Sequence, residues 1–174
     1  MDEDRGLIRR MKAGDKEAAS IFTDKYYLDI YKYCYWKVGE KTLSEDLTQE
    51  VFVRFFTHLE QYVHQGKAKN YLYIIAGNTC KNYFRQRKEE SWEEQNELVF
   101  ETGFSQAENR IEICRALSRL PGEYREILIL YYFQELKLKE IANVLDITLS
   151  LVKYRLGQGR NMLAQILKKE EWYE

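Results

Sequence analysis

Asn78, Lys81, Arg85 and Lys88 recur at intervals of three, four and three residues inside a window, Gln61 to Lys88, that holds no Asp or Glu. On a helix this spacing makes one polar, cationic stripe. Its chemistry suits a phosphate backbone, because each cation that meets a phosphate releases condensed counterions. Asn78 and Asn82 carry amides that donate and accept at base edges, and Tyr62, Tyr71 and Tyr73 offer rings on which unpaired bases stack. Leu72, Ile75, Ala76, Thr79 and Tyr83 fall on the other side and are expected to form the buried face. Alone, such a stripe is also what an ordinary solvated helix face with core tyrosines looks like.

A second acid-free window, Ile147 to Lys169, is more specific. Ile141, Ala142, Leu145, Ile147 and Val152 follow helix-turn-helix spacing, with a small residue where the second helix crosses the first and apolar residues around a tight turn. Thr148 is placed to cap the second helix. The expected core face of that helix is Val152, Leu156, Gly159, Leu163 and Ile166. The opposite side presents Ser150, Lys153, Tyr154, Gln158 and Arg160 at the end that enters a major groove. A helical hairpin that touches no DNA is the competing reading.

The charge balance bears on the partner. With 27 Lys and Arg against 28 Asp and Glu, the chain lacks the basic excess of a protein that holds DNA unaided, so another subunit is expected to supply affinity. Cys34, Cys80 and Cys114 are isolated, and beside them stand only His58 and His64. No metal spacing, glycine-rich phosphate loop or catalytic constellation emerges, so neither metal, cofactor nor enzymatic activity is expected. The N-terminal residues are charged and have no apolar signal core, and no apolar run approaches the ~20 residues of a membrane span. The expectation is a cytoplasmic protein with no membrane insertion of its own.

One Pro and few Gly favour long helices. Ala18, Phe22, Tyr26, Ile30, Tyr33 and Val38 mark the buried face of one. Thr42 with Glu45 has the form of a capping box opening the next, whose core stripe is Leu47, Val51 and Phe55. Phe52, Val53 and Phe56 spread apolar surface onto its other faces, which fits deep burial or a covering partner. A loop around His64-Gln65-Gly66 precedes a third helix from about Lys69 to Lys88. Glutamates then crowd a stretch with little apolar periodicity, read as an acidic linker. Helical periodicity returns at Glu108, and Pro121 suits a first helical position. The fold class is all-α: two small helical domains, 1–88 and 108–174, joined by an acidic linker over 89–107.

Four segments carry a family likeness: "EDLTQEVFVRFF", "YLYIIAGNTCKNYFRQRK", the acidic spacer, and "LSRLPGEYREILILYYFQELKLKEIANVLDITLSLVKYRL". They stand in the order seen in bacterial RNA polymerase sigma factors. The chain resembles the small extracytoplasmic-function type, built from the second and fourth sigma domains, over about residues 5 to 170. The resemblance implies a promoter-specificity subunit that works on core RNA polymerase and promoter DNA. It places Asp46, Gln49, Glu50 and the neighbouring Val53 on the polymerase β′ clamp helices. The loop from His64 to Asn70, with Lys67 and Lys69, matches the family loop that captures a base flipped from the minus-ten element. Asn78, Lys81, Asn82, Arg85 and Lys88 fall along the opening strand. Thr148, Ser150, Leu151, Lys153, Tyr154, Arg155, Gln158 and Arg160 fall on the helix that reads the minus-thirty-five element. Tyr131, Tyr132 and Phe133 fall where the fourth domain docks on the β flap, and an anti-sigma factor is expected as a further partner. Tyr71 stands where the family often has Trp, and Ile74 and Gly77 stand where it has Arg. Asn82 replaces an Asp, Ser150-Leu151 replaces Gly-Thr, and Asp146 replaces a turn Gly. These departures thin the cationic surface near the minus-ten strand. A stand-alone helix-turn-helix regulator is the runner-up.

Overall fold

The computed structural model describes residues 3–90 and 108–171, and every regular element among them is helical. They form two units. The first is built from 3–34 and 42–90, the second from 35–41 and 108–171. In chain order the helices are α1 (Glu3–Lys12), α2 (Lys16–Val38), α3 (Lys41–Thr57), a single 3₁₀ turn (Leu59–Gln61) and α4 (Ala68–Glu90). After the undescribed segment come α5 (Glu108–Ser118), α6 (Gly122–Leu128), α7 (Leu138–Leu145) and α8 (Leu149–Glu171). A π turn, Ile129–Phe133, continues α6. The all-α expectation is met. The acidic linker was expected from residue 89, but α4 runs through Glu90, and the remainder of the segment lies outside the described residues.

An aromatic core holds the first unit. On α2, Ala18, Phe22, Ile30 and Tyr33 have no exposed surface and Tyr26 is buried, as the periodicity anticipated; Val38, also buried, belongs to the second unit. Phe22 stacks on Phe55 of α3 with ring centroids 4.8 Å apart. Phe55 in turn meets Tyr62 and Tyr71 edge-on at 5.5 and 6.2 Å. Leu47, Val51 and Phe52 complete the buried side of α3, while Val53 remains 59% exposed. Thr42 is the second residue of α3 and so sits inside the first turn; the helix opens two residues earlier than the Thr42/Glu45 box required.

Two polar ties dock α1. Asp4 is buried, with the Tyr26 hydroxyl 2.7 Å from both carboxylate oxygens and Lys25 Nζ donating at 2.9 Å. The carboxylate raises the Lys25 pKa, while burial first and Asp4 second raise that of Tyr26. At the other end of α1, Lys12 Nζ donates to the carbonyls of Tyr62 (2.8 Å) and Glu60 (3.1 Å). Between the helices, Asp15 accepts from the N–H groups of Glu17 and Ala18 and thereby caps α2. Arg10 beside it, with Nε 2.7 Å from Oδ2, holds that carboxyl below its usual range.

In the second unit α8 packs across α5, α6 and α7. Pro121 serves as N-cap of α6, one place before the first helical position expected of it. The α7–α8 turn is built by Asp146 in the left-handed region (φ 52°, ψ 48°), with Ile147 N–H donating to Ala142 O at 3.0 Å. Asp tolerates this conformation better than most side-chain-bearing residues, which explains its presence at a glycine position. Thr148 caps α8 as its type and place implied: its Oγ1 accepts from Leu151 N–H at 3.2 Å. Ile141, Ala142, Val144, Val152 and Leu156 are buried at the hairpin, and Leu145 and Ile147 are half-buried.

Two stability measurements test these assignments. Phe22→Ala should lower the unfolding free energy by about 3–5 kcal/mol in urea titration, since it empties the centre of the ring cluster. Thr148→Ala should cost about 1 kcal/mol by the same measurement, the typical loss for a helix N-cap.

Candidate nucleic-acid interface

α4 holds on to the first unit by one side alone. Ala68, Leu72, Tyr73, Ala76, Thr79 and Cys80 are buried there. Ile75 and Tyr83, expected on the same face, are half-buried. Asn78, Lys81 and Arg85 are exposed on the other side, and Asn82 is half-exposed beside them. Lys88 continues the helix, but its side chain lies outside the described set. Ile74 and Gly77 occupy the N-terminal half of this surface, so its positive charge is confined to the Lys81–Arg85 half.

The residues ahead of this stripe divide by environment. Lys67 is exposed, and His64 is half-buried with Nδ1 3.1 Å from the Tyr62 hydroxyl. Lys69 and Asn70, expected in the loop, belong to the first turn of α4 because the helix opens at Ala68. Lys69 Nζ lies 2.7 Å from Asp29 Oδ2, which commits its charge within the fold. Two of the proposed stacking tyrosines are corrected. Tyr73 has no exposed surface and meets Tyr33 edge-on at 5.3 Å, and its burial, with the Asp29 carboxylate, pushes its pKa up. Tyr62 is buried and stacks on Tyr71 at 4.8 Å. Tyr71 is half-buried, and an unpaired base cannot displace rings that fill a core.

α8 divides in the same way. Val152, Leu156 and Gly159 are buried, and Leu163 and Ile166 are half-buried along the same line. A Cβ at Gly159 would stand 3.3 Å from Leu128 Cδ1, so the glycine sets how closely α8 crosses α6. Ser150, Lys153 and Tyr154 are exposed, the last at 59%, with Leu151 and Gln158 half-buried at their flank. Arg155 points back into the unit, its guanidinium 2.7 Å from Glu123 Oε2, so it braces the helix against the start of α6. Arg160 is exposed and lies 5.5 Å from the ring centres of both Tyr131 and Tyr132, which the π turn sets side by side. Tyr132 is half exposed, and Tyr131 and Phe133 are partly buried. Gly157 and Asn161 also lie on this exposed face, although the charge pattern did not single them out. The spacing of four, three and four from Ser150 through Tyr154 and Gly157 to Asn161 was the available signal.

A third surface lies on α3. Asp46, Gln49, Glu50 and Val53 are all exposed and fall within one helical face. Glu50 is bonded to Arg54 Nε at 2.6 Å one turn on. Val53 closes this strip as a single exposed apolar side chain. Among the described residues there is no group of three or more His, Cys, Asp or Glu able to hold a metal ion, and no helix long and apolar enough to cross a membrane.

Residues 22–90 match the family model for sigma-70 region 2, and residues 110–163 match that for sigma-70 region 4. The ECF RNA polymerase sigma factor SigM of Bacillus subtilis is 31% identical, over 83% of this chain and 91% of its own. SigW of the same organism, also an ECF RNA polymerase sigma factor, is 29% identical over 92% of this chain and 95% of its own. Two solved structures share the fold. CnrH, in complex with the cytosolic domain of CnrY, superposes with a TM-score of 0.77 at 19% identity, covering 97% of this chain and 99% of that one. The sigma factor RpoE of Bartonella quintana, in complex with the anti-sigma factor NepR, gives 0.74 at 17% identity, covering 86% and 96%. With both sigma regions matched in order and a relative above 30% identity along most of its length, the chain belongs to the extracytoplasmic-function sigma factors, promoter-specificity subunits of bacterial RNA polymerase.

Proposed function

We propose that the chain divides promoter recognition between the exposed sides of α4 and α8 and docks on core polymerase through α3. Asn78, Lys81, Asn82, Arg85 and Lys88 track the minus-ten strand, with His64, Lys67 and Asn70 at the base-capturing end. Lys69 acts there as a positioning residue through its pair with Asp29. Ser150, Leu151, Lys153, Tyr154, Gln158 and Arg160 face the minus-thirty-five duplex behind the Thr148 cap, while Arg155 fixes the pitch of the helix through Glu123. Asp46, Gln49, Glu50 and Val53 meet the β′ clamp helices, and Tyr131 and Tyr132 meet the β flap.

The observation that carries this reading is the pairing of faces. Among the described side chains, each of two helices buries one side and exposes an opposite side free of acid, while an acidic and apolar strip lies on a third helix. The protein works in the cytoplasm, and the phosphodiester chemistry belongs to the core enzyme. An anti-sigma factor that covers these faces would keep the subunit silent; RpoE is solved in complex with the anti-sigma factor NepR, and CnrH with the cytosolic domain of CnrY. A stand-alone regulator would have no use for the α3 strip, and the match to both sigma regions goes against it.

In vitro transcription with core polymerase tests the division. Lys81→Ala with Arg85→Ala should leave the unfolding midpoint unchanged yet open promoters poorly. The slope of log affinity against log salt should fall by roughly 1.4–1.8, two phosphate contacts' worth. An unchanged slope with normal opening would make this side of α4 an ordinary solvated face. Asp46→Lys should weaken holoenzyme assembly in a core-binding titration while Glu60→Lys, off the strip, does not. Equal affinity of wild type and Asp46→Lys would remove α3 from the polymerase interface.

A further inference from the structure

α8 carries two glycines two positions apart, and only one is explained from within the chain. Gly159 is required by packing: a Cβ there would meet Leu128 at 3.3 Å and Tyr124 at 3.4 Å. At Gly157 a Cβ would meet nothing within 4 Å. The residue is exposed in the middle of a regular helix, so neither a turn nor a close neighbour calls for glycine. The helix forgoes stability relative to alanine at this place.

The direction of helical side chains says what the omission opens. The Cα–Cβ bond tilts toward the N-terminus, so a side chain at 157 would cover the turn before it, between residues 153 and 154. Without one, a notch remains with Lys153 on one wall and Tyr154 on the other, both exposed. Its surfaces are an aromatic ring, the aliphatic stem of a lysine and bare backbone. Among the groups displayed in a major groove, the one of matching size and polarity is the thymine methyl.

We infer that Gly157 is a specificity-determining position of α8, where the backbone comes close enough to the groove for a thymine methyl to seat between Lys153 and Tyr154. The inference rests on the reading that this side of α8 meets the upstream promoter element. A side chain at 157 would hold the helix away from the bases and erase the preference for the methyl.

The experiment uses holoenzyme assembled from this chain and core polymerase, with duplex promoters in which each thymine of the upstream element is replaced in turn by uracil, which lacks only the methyl. Wild type should lose roughly fourfold in affinity at one thymine, the effect of one buried methyl-sized group. Gly157→Ala should raise the unfolding midpoint, weaken binding to the thymine duplex by at least about fivefold and show no thymine–uracil difference at that position. Lys153→Ala distinguishes the two failures. If Lys153→Ala is impaired while Gly157→Ala binds every duplex as wild type does, α8 still reads DNA and the notch is overturned. If neither variant changes duplex binding, the assignment of α8 to the upstream element falls with it.

Discussion

A helix that must present one side to a polyanion has only its other side with which to hold on to the protein. Under the division of promoter recognition proposed above, this constraint governs both halves of the chain. α4 meets it with a buried line of small and compact residues, Ala68, Leu72, Ala76 and Cys80, and with the rings of Tyr71 and Tyr73, which meet Phe55 and Tyr33. α8 meets it with Val152, Leu156 and Gly159, where the absent Cβ lets the helix lie directly on Leu128 and Tyr124. Close approach raises the packing gained per residue, which compensates for the unavailable half of each helix.

Ion pairing sorts the cations left on these helices. Lys69 and Arg155 each sit at the border between buried and exposed faces, and each is claimed by a carboxylate, Asp29 or Glu123. Such partly exposed pairs add little to stability, but they restrict rotamers and fix the helix in azimuth. Lys81, Arg85 and Lys153 stand farther out, where water and counterions are their ordinary company. Arg160 is a third case, held over two tyrosine rings that leave its edges able to donate.

Much of this was legible in the sequence, because period and charge report local geometry. The buried line of α2, the division of α4 and α8 into two faces, and the Thr148 cap all follow from spacing along a single helix. What failed depends on partners remote in sequence. Tyr62 and Tyr73 look like stacking platforms because a ring serves a base or a core equally well; only the positions of Phe55, Tyr71 and Tyr33 decide which. Lys69 and Arg155 read as free cations until Asp29 and Glu123 are brought to them by folding. The π turn at Ile129–Phe133 has no side-chain signature at all, since it is a one-residue change in hydrogen-bond register.

The two hydrogen bonds from Lys12 give α1 a hold on a segment almost fifty residues away, as the separations of 48 and 50 record. The carbonyls of Glu60 and Tyr62 sit just before the residues that enter α4, so their placement is inherited from a helix that contributes nothing to the exposed stripe. α1 has its other polar anchor in the Asp4 cluster. Opening of α1 would therefore release the approach to α4 in the same event, and the two segments would exchange their amide hydrogens as one cooperative unit. The N-terminal helix is in this sense a latch on the segment that leads into α4.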